Sequence, residues 1–276
     1  MIDLSTLERY ETPSVIKPAL SRYFLGTRLS MNLSVMKIVL QCRYLSKKGI
    51  FTNSAYFDAS DRLRTAFEKH GARFEITGLE NMKQDGPCVI VSNHMSLLET
   101  QVLPWLIGCF HPLSIVMKKS LYDSWIFHPV AVATKSISLT RQNLRADIDV
   151  IMKEGVEYLN QGRSILLFPE GTRKGFFNRD DFNSLGVKLA ARAGVKVIPI
   201  ALKTDFLVNG KHVSDFSTVH HDRPVHIHVG EALKVQGRGK KEHQVILDFL
   251  ETKLSSWGVE IRGRDLKDPV TKEEMS

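Results

Sequence analysis

Cysteine is scarce in this chain of 276 residues, which contains three. They are Cys42, Cys88 and Cys109, an odd number with no CxxC spacing. Such a set provides neither the disulfide framework of a small secreted domain nor a zinc-ligand pattern. We therefore expect a protein of a reducing compartment such as the cytosol, with no metal site.

Long apolar runs are absent as well. Nowhere does the chain reach the roughly 18 uninterrupted apolar residues that a membrane-spanning helix needs. The first residues, MIDLSTLERYETPS, lack the basic segment followed by an apolar segment that marks a signal peptide. We expect neither a signal peptide nor a spanning helix, and we expect lipid contact to be peripheral, on the cytoplasmic face of a membrane.

Several catalytic and nucleotide-binding motifs are also missing. The chain has no GxSxG elbow, which excludes the commonest route to a serine hydrolase, and no GxxxxGK[ST] or GxGxxG follows an apolar strand. Lys and Arg total 38 against 30 Asp and Glu, a formal charge of +8. Because these basic residues are spread along the chain without a nucleic-acid-binding motif, we expect anionic lipid and an acidic carrier protein as partners, and no nucleic acid.

Residues 14–48 carry apolar side chains at helical spacing among basic residues, which predicts two basic amphipathic helices. Their apolar faces either cover the main core or lie on a membrane. After residue 72, short β-rich runs alternate with helical stretches, the pattern of an α/β domain with a central sheet. We assign residues 1–72 to an N-terminal helical, membrane-interfacial region, 73–260 to a single α/β domain, and 261–276 to a disordered tail.

The predicted strands are Arg73–Thr77, Cys88–Ser92, Ser114–Lys118, Ser136–Thr140, Ser164–Phe168, Val195–Leu202 and Val225–Val229. The predicted helices that follow residue 72 are Leu97–Ile107, Asn143–Asn160, Phe182–Ala193 and Lys240–Trp257.

His94 and Glu99 follow the apolar strand CVIVS at a spacing of five residues. On one continuous helix they would lie about 140° apart, so they can meet only if His94 precedes the helix. Ser96 as N-cap would place Glu99 in the first helical turn, within reach of the imidazole, which gives a general base with its orienting partner. Alternatively, Ser96-Leu97-Leu98-Glu99 is a capping box and Glu99 caps the helix.

A second apolar strand ends in Phe168-Pro169 and is followed by Glu170, Gly171, Thr172, Arg173 and Lys174. Ligands in open α/β sheets bind beyond the carboxyl ends of strands, so this loop and the His94 turn can face one cleft. Gly171 permits close backbone approach, and the guanidinium of Arg173 suits a phosphate. The alternative is a surface turn stabilised by a Glu170–Arg173 pair.

We do not expect a metal site at the four histidines near the C-terminal strand, which are His220, His221, His226 and His228. His226 and His228 would share one strand face, but a metal needs further ligands in definite geometry.

Asn93-His94-x4-Glu99 followed by Phe168-Pro169-Glu170-Gly171-Thr172-Arg173 resembles the glycerolipid acyltransferases of the lysophosphatidate acyltransferase (PlsC-like) family. The resemblance covers roughly residues 73–235. It includes Val197-Ile198-Pro199-Ile200, which is similar to the family's fourth motif, and two blocks similar to its second motif region. Those two blocks are Met117-Lys118-Lys119-Ser120-Leu121 and Ser136-Ile137-Ser138-Leu139-Thr140-Arg141. The family usually has Asp where this chain has Glu99.

The resemblance implies a seven-stranded mixed sheet flanked by helices, a helical pair at the bilayer, and a role in phospholipid biosynthesis. It implies an acyl-CoA or acyl carrier protein donor, without a cofactor, and a lysophospholipid acceptor such as 1-acyl-glycerol-3-phosphate. By the same resemblance, Arg173, Arg141 and Lys119 would hold the acceptor phosphate. Asn93 and Glu170 would help to shape that site.

The mechanism that we expect is direct acyl transfer. His94 takes the proton of the acceptor hydroxyl, Glu99 stabilises the imidazolium, and the Gly171–Thr172 turn is a candidate donor to the carbonyl oxygen. Two other functions remain open at this point. One is a thioesterase in which His94 activates water, and the other is a lipid-binding protein without catalytic activity on the same fold.

Overall fold

The seven apolar segments predicted to be strands all lie in one sheet of the computed structural model, which describes residues 2–208 and 218–263. Two strands of two residues each extend that sheet to nine, and two further pairs of short strands lie apart from it. In chain order the strands are β1 (Tyr10–Glu11), β2 (Phe74–Thr77), β3 (Cys88–Ser92), β4 (Leu113–Lys118), β5 (Ile137–Leu139), β6 (Ser164–Leu167), β7 (Phe177–Asn178), β8 (Lys196–Lys203), β9 (Leu207–Val208), β10 (Thr218–Val219), β11 (Val225–Val229), β12 (Leu233–Lys234) and β13 (Ile261–Arg262).

The sheet is mixed, as predicted. Its order is β1-β2-β11-β8-β3-β6-β4-β5, and β12 pairs with β8. The five strands β8, β3, β6, β4 and β5 are mutually parallel, whereas β11 pairs with β8 in the antiparallel sense. All five parallel strands therefore point their carboxyl ends to the same edge, which we call the carboxyl edge.

Helices cover both faces of the sheet. Because strand side chains alternate, Ile90 joins an apolar core with α3 and α4 on one face, while Val89 and Val91 join a second core with α9 and α10 on the other. The helices are α1 (Ser21–Leu25), α2 (Thr27–Lys47), α3 (Asn53–Lys69), α4 (Leu98–Gly108), α5 (Lys119–Tyr122), α6 (His128–Ala133), α7 (Leu144–Val150), α8 (Val156–Asn160), α9 (Leu185–Ala193) and α10 (Lys240–Ser256).

The two predicted N-terminal helices are present but differ greatly in length. Residues 14–19 are not helical, because Pro18 disfavours helical backbone at the residue before it, and α1 spans five residues. The chain then turns at Gly26, whose φ is +75°, and the 21 residues of α2 follow. The same N-terminal region contributes buried Tyr10 and Met31 to the first core and β1 to the sheet.

Helix α3 lies in the region 1–72 that is predicted to be helical, although no bounds are predicted for it, and it packs along α4. Its inner face carries Ser60 and Arg64 between Phe57 and Phe67, which hides the apolar stripe in the sequence. The Ser60 hydroxyl donates to the carbonyl of Gln101 at 2.6 Å, and Arg64 pairs with carboxylates of its own helix. Buried polar side chains thus find partners at the α3–α4 contact.

The predicted helix over 143–160 is present but not uniform. Asn143 caps α7 by accepting from the backbone N–H of Ala146 at 3.1 Å. A π-helical turn, Ile151–Gly155, then joins α7 to α8.

The prediction of a disordered tail is corrected at Ile261–Arg262, which form β13 and pair with β7. Residues 264–276, the rest of that tail, lie outside the described residues. Within 2–208 and 218–263, no helix has both the length and the apolar character needed to cross a bilayer.

Candidate active site

The sheet topology collects the predicted site residues at the carboxyl edge. His94 follows β3, and the Glu170 loop follows β6, which is hydrogen-bonded to β3. Lys119 follows β4 and Arg141 follows β5, the next two strands. With neighbouring strands about 4.8 Å apart, the end of β5 lies about 14 Å from the end of β3.

His94 precedes the helix and meets Glu99, as the spacing predicts. Its Nδ1 lies 3.0 Å from Glu99 Oε1, and the two side chains are 13% and 0% exposed. Because an ionised carboxylate only accepts hydrogen bonds, Nδ1 carries the proton and Nε2 is left as the basic nitrogen. The imidazole also stacks on the ring of Phe168, with 4.3 Å between centroids. The imidazole of His94 is thus half-buried and held on two sides.

The Glu99 carboxylate combines the two roles between which the sequence left a choice. The same oxygen, Oε1, accepts the backbone N–H groups of Met95 at 2.6 Å and Ser96 at 2.7 Å. Ser96 is not the N-cap, because α4 begins one residue later than predicted and Leu97 is its N-cap. The Ser96 hydroxyl instead accepts from the N–H of Leu98 at 3.2 Å. Glu99 therefore accepts hydrogen bonds both from the backbone N–H groups that precede α4 and from the imidazole of His94.

The second oxygen, Glu99 Oε2, is held by two hydroxyl groups. Thr204 Oγ1 donates to it at 2.7 Å and Ser96 Oγ lies 2.8 Å away. Burial raises the pKa of Glu99, but the bonds from His94, Thr204 and Ser96 outweigh it and hold that pKa below the usual range. The carboxylate is therefore ionised at neutral pH.

Asn93 is buried and its amide is fully engaged with the end of β8. Its Nδ2 donates to the carbonyl of Leu202, and its Oδ1 accepts from the N–H of Leu202, each at 2.8 Å. These two bonds continue the β3–β8 ladder by one side chain. Asn93 therefore fixes where the His94 turn leaves the sheet.

The loop after β6 holds the His94 backbone at both of its polar groups. Glu170 Oε2 accepts from the N–H of His94 at 2.9 Å, and the N–H of Lys174 donates to the carbonyl of His94 at 2.8 Å. Burial raises the pKa of Glu170 to about 7. The two predicted motifs thus form one hydrogen-bonded unit.

Gly171 has φ +70°, and a side chain there would meet nothing within 4 Å. The left-handed backbone by itself favours glycine at this position. The N–H of Gly171 donates to the carbonyl of Phe168 at 2.9 Å, which closes the turn. Beyond it, Thr172 is exposed and Arg173 is half-buried.

Lys119 and Arg141 lie at the far end of the carboxyl edge. Lys119 opens α5, and its ammonium pairs with Asp123 at 2.9 Å. Arg141 has φ +59°, and its backbone N–H donates to Asp147 Oδ2 at 2.7 Å, so the carboxylate fixes this strained turn. Both side chains are exposed.

Residues 73–203 match the family model described as Acyltransferase. These residues belong to that family. The acyltransferase domain begins with β2 and ends with β8, so it contains the His94 turn, the Glu170 loop and the strand that precedes Thr204.

Similar curated proteins carry the name that the predicted PlsC-like branch implies. The chain is 33% identical over 171 residues to a 1-acyl-sn-glycerol-3-phosphate acyltransferase of Pseudomonas aeruginosa, covering 62% of this chain and 63% of that one. The protein of the same name from Borreliella burgdorferi is 26% identical, with 48% of this chain and 52% of that one covered. The chain thus spans between half and two thirds of the length of these curated relatives.

A solved structure shows the same fold. The 1-acyl-sn-glycerophosphate (LPA) acyltransferase PlsC from Thermotoga maritima superposes with a TM-score of 0.64 at 17% sequence identity. The match covers 86% of this chain and 97% of that one. The α/β fold predicted from the sequence is confirmed.

The C-terminal histidines His226 and His228 lie on β11, apart from His94. His226 and His228 share a strand face, as predicted, and their partners are Glu75 at 3.0 Å and Thr77 at 2.7 Å. In the part of the chain that the structure describes, no group of three metal-ligating side chains converges.

Proposed function

We propose that the chain is an O-acyltransferase that moves a fatty acyl group from a thioester to the free hydroxyl of a lysophospholipid, with 1-acyl-glycerol-3-phosphate as acceptor and phosphatidic acid as product. The observation that carries the proposal is the His94–Glu99 pair, because it leaves Nε2 basic at the mouth of the site. The names of the relatives support the choice of acceptor.

The reaction proceeds in one transfer. Nε2 of His94 takes the proton of the acceptor hydroxyl as its oxygen forms a bond to the thioester carbonyl carbon. The tetrahedral intermediate then breaks its C–S bond, and the imidazolium returns the proton to the leaving thiolate. The Glu99 charge stabilises the imidazolium between these two steps.

The acceptor phosphate lies on the side of the Glu170 loop. Arg173 follows the strand beside β3, so its guanidinium is the nearest of the three predicted phosphate ligands to the reacting hydroxyl. Lys119 and Arg141 lie farther along the carboxyl edge and add positive charge where a glycerophosphate or a second anionic group approaches. Acyl-CoA and an acyl carrier protein both present the required thioester as donor.

The substrates reach this site from an anionic membrane surface. Helix α2 is apolar on two faces: Met31 and Ile38 pack inward, while an outer stripe within an arc of about 80° is exposed. An exposed apolar stripe beside basic residues fits a bilayer interface, with the apolar groups inserted and the cations at phosphates. The stripe comprises Leu29, Leu33, Met36, Leu40 and Tyr44.

Neighbouring aromatic side chains extend this surface. Phe24 of α1 is 86% exposed, and Trp125, which precedes α6, is 68% exposed with the guanidinium of Arg43 over its ring at 4.9 Å. Tryptophan favours the interfacial region of bilayers because one end of the ring is apolar and the other donates a hydrogen bond. The protein therefore associates peripherally through α1, α2 and the Trp125 segment.

The deciding experiment offers radiolabelled acyl-CoA and acyl carrier protein thioesters to the purified protein, with lysophosphatidate or lysophosphatidylcholine in anionic vesicles. We expect labelled phosphatidic acid from wild type and none from His94→Ala. Free fatty acid without diacylated lipid would identify a thioesterase. Lysolipid binding without either product would identify a binding protein and overturn the proposal.

A further inference from the structure

Thr204 lies one residue beyond the carboxyl end of β8 and belongs to neither of the two motifs that indicate the chemistry. It is completely buried. Its Oγ1 lies 2.7 Å from Glu99 Oε2, and its backbone N–H contacts the sulfur of Met95 at 3.3 Å. A residue 105 positions away in the chain thus reaches the carboxylate that orients His94.

Thr204, Ser96 and the carboxylate form a closed triangle of oxygens. Ser96 Oγ lies 2.8 Å from Glu99 Oε2 and 2.9 Å from Thr204 Oγ1. Each hydroxyl has one proton, so Thr204 donates to Oε2 while Ser96 donates either to Oε2 or to Thr204. In both arrangements the Thr204 proton points at the carboxylate.

The two carboxylate oxygens are therefore held from different parts of the fold. Oε1 is held by backbone N–H groups of the turn that contains His94, whereas Oε2 is held by the hydroxyl of Ser96 from that turn and by the hydroxyl of Thr204 from the end of the neighbouring strand β8. The terminal torsion of a glutamate is broad, so fixing one oxygen leaves the plane of the carboxylate free to rotate. The hydroxyl groups on Oε2 remove that freedom, and Thr204 is the one of the two that lies outside the turn.

Resting on the proposed acyl transfer, we propose that Thr204 is a positioning residue: its hydroxyl holds the Glu99 carboxylate in the plane that keeps Oε1 on His94 Nδ1. The side chain does not touch substrate. It fixes the imidazole through Glu99, so that Nε2 stays aimed at the acceptor hydroxyl. Misplacing a catalytic group by about 1 Å lowers rates by up to about 100-fold, which makes such a support measurable.

The test compares Thr204→Val, which keeps the shape and removes the hydroxyl, with Thr204→Ser, which keeps the hydroxyl. The matched control is Ser92→Ala. Ser92, the last residue of β3, is also completely buried, but its hydroxyl donates to the carbonyl of Ile200 at 2.7 Å. Transfer to lysophosphatidate in vesicles and thermal melting are measured for all four proteins.

We expect Thr204→Val to lower kcat about 10-fold, with the KM of lysophosphatidate changed less than twofold, because the acceptor site is intact. Thr204→Ser should return kcat to within about threefold of wild type. Ser92→Ala should keep the wild-type kcat although it also loses a buried hydroxyl.

Three results would overturn the inference. A Thr204→Val enzyme with wild-type kcat would show that the hydroxyl does not act on the reaction. An equal loss in Thr204→Ser or in Ser92→Ala would show that packing, not the hydroxyl on Glu99, is responsible. If wild type itself does not transfer acyl groups, the proposed function fails first and the inference with it, which separates the two failures.

Discussion

Glu170 Oε2 accepts a hydrogen bond from the backbone N–H of His94 at 2.9 Å, so the loop after β6 holds the turn after β3. The other oxygen of this carboxyl, Oε1, is buried without a hydrogen-bond partner among the described residues. Burial favours the neutral form of this carboxyl more than its partners favour the charged form, so its pKa is raised to about 7.

The raised pKa of Glu170 predicts a loss of stability as the pH rises. The folded protein holds this proton more tightly than the unfolded chain, so the stabilisation is complete below the ordinary pKa of 4.5. It is lost as the pH rises to about 7, on the order of 3 kcal/mol of unfolding free energy. Glu170→Gln is neutral at every pH and avoids this loss.

Thermal melting of wild type and Glu170→Gln between pH 5 and pH 8 checks the prediction. The melting temperature of the variant relative to wild type should rise by several degrees across this range. Glu8→Gln, an exposed substitution, serves as the control and should show no such trend. A Glu170→Gln difference that is constant with pH would contradict the buried, proton-binding carboxyl.

A second prediction concerns the base. His94→Ala should reduce transfer by at least about 1000-fold, because the proposed reaction assigns the hydroxyl proton to His94. Stability should fall by only about 1–2 kcal/mol: the stack on Phe168 is lost, but Glu99 keeps its backbone and hydroxyl donors. Half-buried His228→Ala on β11 is the control. Near wild-type transfer by His94→Ala would remove His94 from the mechanism.

A third prediction ranks the phosphate ligands by their strand. Arg173→Lys should raise the KM of lysophosphatidate about 5- to 20-fold, because a point charge replaces a planar fork. Arg141→Lys should raise it less than about threefold, since β5 is three strands from β3. Steady-state kinetics with varied acceptor measure both. An effect confined to the KM of the acyl donor would assign Arg173 to the donor site instead.

A fourth prediction tests the membrane surface. Leu33→Glu with Leu40→Glu should weaken sedimentation with anionic vesicles at least fivefold, because two charges enter the apolar stripe while the inner face of α2 is unchanged. Val245→Glu is the matched control, as Val245 is exposed on α10 across the sheet. Equal binding by wild type and the double variant would contradict insertion through α2. Deleting residues 1–48 is less informative, because Met31 and Ile38 belong to the core.

The sequence predicts the strands well and parts of the helical layer poorly, for a physical reason. Strands β3 and β6 are short apolar runs buried on both faces, and β2 and β11 alternate buried residues with exposed or half-buried ones, so the local pattern displays these strands directly. Helix α3 turns Ser60 and Arg64 toward α4, and these buried polar residues interrupt its apolar stripe. A helix whose inner face is polar cannot be recognised from apolar periodicity.

The site residues also differ in how well the sequence predicts their contacts. The His94–Glu99 contact is predictable because it depends on a five-residue spacing and a helix start. Thr204 is not, because only the pairing of β8 with β3 brings it to Glu99, and no local signal marks it. Asn93 is similar: its side chain looks available in the sequence, yet both ends of its amide bind the backbone of Leu202.

The last prediction concerns Glu99→Gln. The structure places the helix-entry role and the imidazole contact on the same oxygen, Oε1, so position 99 cannot serve one without the other. Glutamine can retain the geometry, because its amide oxygen accepts the N–H groups of Met95 and Ser96. Its NH₂ group donates where Oε2 accepted, since the hydroxyls of Thr204 and Ser96 can also act as acceptors.

The Glu99→Gln substitution therefore removes the charge while the hydrogen bonds persist. Melting should change by only a few degrees, because burial of a neutral amide with its partners satisfied replaces burial of an ionised carboxylate. The kcat should fall by about 10²–10⁴-fold, by analogy with other His–carboxylate pairs, since the imidazolium formed during transfer loses the charge beside Nδ1. Melting and kcat are measured on one preparation. The control is Thr100→Ser, next to Glu99 in α4. Gln101→Glu is not a suitable control, because Gln101 lies in the α3–α4 contact. A stable and fully active Glu99→Gln enzyme would reduce Glu99 to a helix cap and require another partner for the imidazole of His94.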